Sequence, residues 1–273
     1  MKQYGFLFLT LLAGLLITQS LYAQDGIAPA DQPLEISAQD NFQWDQANSR
    51  YIANGAVIVT QGTYQLTADE VIATYPAGGE ASDLQTITAT GNVTMKDGET
   101  TVTGAEAVYD VVKEIITVSG NNPVLSTATQ NVKAGDTLTY NLQSGAARAT
   151  GGVTLKDADY TLTAQTIDAL IKTDSEAQGQ NALQSATATG NVRFTNGEEI
   201  MTGQRAVYDE MAQTVTLTGN VVLTQGPNRL KGDKAVMNLT TKVSRLDAGR
   251  NGRVTGVFFP ENTNANNQGA AAP

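Results

Sequence analysis

The chain has 273 residues, of which 17 are basic and 27 acidic for a formal net charge of −10, and it contains neither cysteine nor histidine. That balance argues against nucleic acid, whose phosphates demand clustered lysine and arginine. The missing residue types rule out disulfides and leave carboxylates as the only metal ligands, and general acid–base chemistry would rest on carboxylates, lysine or tyrosine.

At the N-terminus, Lys2 precedes an apolar stretch from Phe6 to Ile17 and then small residues ending at Ala23. The stretch falls short of the roughly 20 residues that cross a bilayer as a helix. Residues 1–23 therefore read as a cleaved secretory signal with Gln24 as the mature start, and an uncleaved anchor is the competing reading. No cysteine follows the signal, so a lipidated N-terminus is not expected.

From Gly55 the chain writes GAVIVTQGTYQLTADEV, a strand, a turn and a strand, and a glycine followed closely by valine recurs at Gly91, Gly120, Gly151, Gly190 and Gly219. The spacing of roughly 30 to 40 residues is typical of stacked repeat architectures. TATGNVTMKDGETTVTGAEAVYD from Thr88 and TATGNVRFTNGEEIMTGQRAVYD from Thr187 match at more than half their positions without a gap, and GGVTLKDADYTLTAQTIDALI from Gly151 is a looser copy.

Period-2 alternation predicts strands throughout, with no helical spacing after the signal. Behind each glycine the apolar side chains fall two apart on one face: Val57 and Val59, Val93 and Met95, Val153 and Leu155, Val192 and Phe194, Val221 and Leu223. The residue between them (Ile58, Thr94, Thr154, Arg193, Val222) varies as a solvent-facing position permits. The next strand repeats the habit at Leu66, Leu162, Met201 and Leu230, and after an Ala or Gly corner the parity shifts, so that Tyr109, Tyr208 and Met237 continue the inward face. A one-residue slip would turn that face outward, so a bend or bulge is expected at each corner. A fourth short strand returns to the next glycine, as in TVTLTGN, where Val215 and Leu217 face in. Asp-Gly at Asp97 and Asn-Gly at Asn196 predict hairpin turns.

One such unit buries too little to offset the entropy of ordering itself, so neighbours must stack and share ladder hydrogen bonds. The predicted architecture is all-β: a single elongated body of stacked antiparallel strands, two facing sheets in a jellyroll or sandwich with open ends, and a β-helix as nearest competitor. Beyond it, residues 261–273 (ENTNANNQGAAAP) lack apolar periodicity and are expected to be disordered.

No motif nominates chemistry. Corner acids recur at Asp69, Asp110, Asp136, Asp168, Asp209 and Asp233, but aspartate at a turn more often satisfies local backbone N–H groups. Calcium β-roll, EF-hand, P-loop and nucleophile-elbow patterns do not occur, and repeated corner acids are poor candidates for a glycosidase pair. An enzyme is not expected, nor a metal or other cofactor. The inward-pointing Tyr75, Tyr109, Tyr140 and Tyr208 read as core rather than as carbohydrate platforms. Two readings of the inward face stay open: a dry core in a structural protein that polymerises in the envelope, or an apolar groove that accepts a lipid.

DQPLEISAQD from Asp31, GAVIVTQGTYQLTADEV from Gly55, and LTGNVVLTQGPNRLKGDKAVMNL from Leu217 through RVTGVFFP ending at Pro260 resemble the first and last portions of the LptA/OstA-like periplasmic lipopolysaccharide transport family. The similarity covers roughly residues 31–80 and 186–260, and the stretch between (about 84–185) looks like additional copies of the same unit. The resemblance implies a twisted, open β-jellyroll over residues 24–260 in the periplasm, carrying lipopolysaccharide with its acyl chains shielded inside. It further implies docking of an LptC-like inner-membrane component at the N-terminal edge, of an LptD-like outer-membrane component at the C-terminal edge, and end-to-end self-association. Leu34, Ile36 and Tyr208 match inward positions of the family; the other inward residues rest on alternation alone.

Overall fold

The computed structural model of the protein describes residues 35–80, 83–158, 160–172, 182–197, 199–241, 243–249 and 252–259. The expected signal segment, Leu34 and the expected tail lie outside the described residues. Within them every regular element is a strand apart from one short 3-10 turn, Gln46–Asn48. The strands in chain order are β1 (Glu35–Ser37), β2 (Asn41–Asp45), β3 (Arg50–Gln61), β4 (Tyr64–Thr74), β5 (Thr86–Asp97) and β6 (Thr100–Asp110). A run of shorter strands follows: β7 (Ile115–Ser119), β8 (Val124–Ser126), β9 (Gln130–Lys133), β10 (Thr137–Asn141), β11 (Ala146–Ala149), β12 (Val153–Asp157), β13 (Thr161–Ala164) and β14 (Thr166–Lys172). Long strands then resume with β15 (Ala182–Asn196), β16 (Glu199–Asp209), β17 (Thr214–Gln225) and β18 (Asn228–Asn238), and the series closes with β19 (Ser244–Asp247) and β20 (Thr255–Val257).

All pairings are antiparallel, and their registers sort into two ladders. The first runs β1, the second half of β3, the first half of β4, the second half of β5, the first half of β6, β8, β9, β12, β13, the second half of β15, the first half of β16, the second half of β17, the first half of β18, and β20. The second runs β2, the other halves of β3 to β6, β7, β10, β11, β14, the other halves of β15 to β18, and β19. Buried residues of both ladders share the same clusters, as with Val57 of the first and Val71 of the second, so the ladders face one another. Among the described residues β1 and β2 pair only with β3, and β19 and β20 only with β18, which leaves the body open at both ends.

The expected corner is present, with one correction. Where alternation predicted four short strands per unit, the structure has two long bent ones: the strand before each glycine and the strand after it are continuous in β3, β5, β15 and β17. The register skips at Asn54/Val57, Thr90/Val93, Thr189/Val192 and Thr218/Val221. Two consecutive left-handed residues make the skip, as at Gly91 (φ 78°) and Asn92 (φ 49°), conformations that glycine and asparagine tolerate best. Pairing is thereby kept on both sides of the bend while the parity of the inward face is corrected. A Cβ at Gly91 would collide with the carboxylate of Asp69, which accepts a hydrogen bond from the Asn92 side chain at 2.9 Å.

The expected hairpin turns are present. Asp97 and Asn196 are the last paired residues of their strands, opposite Thr100 and Glu199. At the first of these hairpins Gly98 (φ 54°) is therefore the first loop residue, which is the glycine position of a type II′ turn.

Candidate functional site

Viewed along a strand, the inward face has a closed vertex and a looser flank. At the vertex stand the valines that follow the corner glycines: Val57 and Val221 are 0 % exposed, and Val93, Val153 and Val192 are 1 %. Across from them, Ala53, Ala68 and Ala89 are buried as well. Small and β-branched side chains fill this narrow angle because two backbones approach closely there.

Two residues further from the corner the interior widens, and the outcome depends on position along the body. Val59, Leu66, Met95 and Tyr109 near one end, and Met201, Val215, Leu223, Leu230 and Met237 near the other, are only half-buried. In between, Leu155, Leu162, Phe194, Tyr208 and Leu217 are buried, and the ring of Tyr160 stacks on Phe194 at a centroid distance of 5.3 Å. The inward face is thus closed over β12 to β14 and partly open on either side of them, including Ile116, Leu138, Tyr140 and Ala147 on the short strands β7, β10 and β11.

Ile36 is 40 % exposed. It lies opposite Val59 in register and so shares its face, but β1 is an edge strand with no neighbour to cover it. Beside it on the other ladder, β2 presents Phe42 and Trp44 to solvent. Their rings stack on Tyr51 at 6.0 and 5.9 Å, Tyr51 meets Tyr75 at 5.6 Å, and the Trp44 indole N–H donates to the Tyr75 hydroxyl at 2.9 Å. At the far end Val257, Phe258 and Phe259 are exposed in the same way.

The face carries little charge. Burial, with Asp97 nearby, pushes the Tyr64 hydroxyl up to about 12, and burial pushes that of Tyr208 to about 12 as well; burial also raises Tyr109 and Tyr140. These phenols stay neutral at any physiological pH. The corner acids serve turns and surface pairs: Asp110 and Asp209 accept backbone N–H bonds from Lys113 and Ala212 at 3.0 Å, and Asp168 pairs with Arg148 at 3.1 Å.

A cavity of about 130 Å³ opens inside the run of short strands, walled among others by Met95, Val102, Ile116, Leu138, Tyr140 and Leu155. Of the residues singled out from alternation behind the glycines, Met95 and Leu155 reach it. Ile116 and Val118 stand two apart ahead of Gly120, as Val215 and Leu217 do ahead of Gly219, so the same periodicity finds them. Leu125 and Val132, also on the wall, sit on strands of 3 and 4 residues, where no alternation can accumulate.

The family model described as "LptA/(LptD N-terminal domain) LPS transport protein" matches this chain twice, over residues 35–146 and 134–243. The lipopolysaccharide export system protein LptA of Escherichia coli (strain K12) is 31% identical over 135 residues, which are 47% of this chain and 70% of that protein. An uncharacterised protein of Rhizobium meliloti (strain 1021) is 30% identical over 129 residues, covering 45% of this chain and 68% of its own length. The crystal structure of LptH, the LptA homologous periplasmic component of the lipopolysaccharide transport device of Pseudomonas aeruginosa, aligns with 85% of this chain and 100% of its own at 14% identity and a TM-score of 0.21.

Proposed function

Because this chain belongs to the LptA/LptD N-terminal family of lipopolysaccharide transport proteins, we propose that it is a non-enzymatic carrier that shields the acyl chains of lipopolysaccharide across the periplasm. The observation that carries this reading is the partly open inward face: Val59, Leu66 and Met95 toward one end, and Leu223, Leu230 and Met237 toward the other, are apolar and incompletely covered. Each methylene withdrawn from water is worth about 0.8 kcal/mol, so long acyl chains gain by lying along such positions. With a chain of formal net charge −10, the phosphorylated sugars stay in solvent. A core that was dry throughout would bury these positions as it buries Leu155.

A photoreactive residue at Val59 or Leu223 should crosslink lipopolysaccharide, and the same probe at Thr94 or Arg193, on the alternate face, should give roughly tenfold less product. Equal labelling of both sets would remove the groove from the account. Mass spectrometry of the protein isolated from its own envelope should find bound lipid; a lipid-free protein would favour the polymerising dry-core reading.

The open ends supply the docking surfaces of the same proposal. β1 and β2 would add to an LptC-like partner, β19 and β20 to an LptD-like partner, and one end to the other between copies, since unpaired edges recruit further strands. Val257→Lys places a charge on the exposed edge strand β20 at a position 54% exposed, a device that natural edges use to refuse pairing. It should abolish concentration-dependent assembly in sedimentation velocity while the melting temperature stays within a few degrees. Unchanged assembly would show that β20 is not the docking edge.

A further inference from the structure

The buried residues fall into two clusters. One is built around Val57, Val93 and Val118 and the other around Leu155, Phe194 and Val221, while Val102 and Leu138 pack against both. The cavity lies at their junction, since its wall takes Met95 and Val118 from one cluster and Leu155 and Ile167 from the other. This is also where the long bent strands give way to β7 to β14. There the medium-sized side chains of the two ladders leave part of the space between them unfilled.

Its wall is almost wholly apolar. Arg148 and Thr139 also touch it, but they face one another in register between inward Ala147, Ala149, Leu138 and Tyr140, so alternation sends their side chains outward. Arg148 spends its charge on Asp168 at the surface. An enclosed apolar cavity of comparable size, about 150 Å³, accepts a benzene-sized guest, and this one is open on one side, which gives a chain a way in. Unfilled, such a void forfeits the dispersion contacts of its lining.

We propose that this cavity is a holding station for the methyl end of one acyl chain. The chain lies along the partly open face of β3 to β6 and ends in the cavity, and the closed section beyond Leu155 stops it from sliding further. The inference rests on the carrier reading and deepens it, because a uniform track would hold its cargo nowhere in particular, whereas one unfilled pocket next to a closed stretch gives the lipid a preferred resting place. Only the terminal few carbons fit, so the remainder of the lipid stays on the open face with its polar head outside.

The test uses the full-length protein and a long-chain fatty acid carrying a diazirine at its methyl end, with peptide mapping after irradiation. Labelling should concentrate on residues 116–140 and 147–169 and should fall when lipopolysaccharide is added. Ala147→Phe, which fills the cavity from its wall, should reduce mid-body labelling roughly tenfold and leave any labelling near Val59 unchanged. Labelling of the segments around Val59 and Leu223 with none in mid-body would overturn the station and leave the carrier standing. Mid-body labelling that Ala147→Phe leaves intact in a folded protein would overturn it too. If neither the ends nor the middle carry label that lipopolysaccharide displaces, the carrier reading itself falls.

Discussion

Alanine in place of Gly135 should destabilise the protein by about 3 kcal/mol or more, at the upper end of what overpacking a filled site costs, measured as a lowered urea midpoint. The added Cβ would run into the carbonyl oxygen of Gly151, a backbone atom, where the link from β9 to β10 crosses the link from β11 to β12. Neither strand can step back. The Asp136 N–H donates to the Thr150 carbonyl at 3.0 Å, the Thr150 N–H donates to the Thr137 carbonyl at 3.0 Å, and the adjacent Ala134 is 0 % exposed. The collision is mutual, since a Cβ on Gly151 would meet the Asp136 backbone nitrogen. Gly98→Ala is the matched control. It has no atom within 4 Å of the added group, and its cost comes only from its φ of 54°, about 2 kcal/mol. Equal midpoints for the two variants would show that the crossing relaxes freely and is not what holds the short strands in place.

Excising residues 88–186 should leave a soluble, cooperatively folding all-β protein, because the cut joins Ile87 to Thr187 and preserves register on both sides. In the intact chain Thr88 stands opposite Ile72 and Ala89 opposite Val71, while Thr187 stands opposite Asp168 and Ala188 opposite Ile167. After the cut Ala188 would face Val71, and Gly190 with Asn191 would take the corner of Gly91 and Asn92, with the same signs of φ. β4 would then pair directly with the remainder of β15. Excising 88–185 instead shifts the ladder by one residue and sends Val192 and Phe194 to the solvent face. That variant should aggregate, as read by its recovery after size-exclusion chromatography. If both variants behave alike, register is not what specifies the stacking of these units. The in-register variant also lacks the mid-body cavity, so under the holding-station proposal it should bind lipid without the mid-body labelling of the intact chain.

Much of the fold was legible because antiparallel stacking is a local rule repeated. Val57 and Val59, Val93 and Met95, and Val221 and Leu223 announce their common face by period alone, and the parity change after each corner requires the bulge that Gly91 and Asn92 make. Strand number was less legible. A bend that keeps its hydrogen bonds on both sides reads in one dimension like a strand end, so β5 and β17 looked like pairs of short strands. The Asp-Gly pair likewise marks the hairpin without fixing its type: Asp97 can be the first turn residue or the last strand residue, and only its pairing with Thr100 decides between them.

The candidate face divides in the same way. Which side chains point inward follows from alternation, a property of the backbone that each residue carries with it. How far each is covered does not, because Val59 and Leu155 occupy equivalent places two residues beyond their valines, yet one is half-buried and the other 0 % exposed. That difference comes from what packs around each: Leu155 shares a buried cluster with Tyr160, Phe194 and Tyr208, whereas Val59 lies only at the margin of the other cluster. Alternation and repetition are enough to specify an all-β, unit-built chain with one apolar face and open ends. Where that face is open, where it is shut and where it leaves a cavity emerge only once the two ladders face each other, because burial depends on which side chains meet across the interior, and no local pattern encodes that.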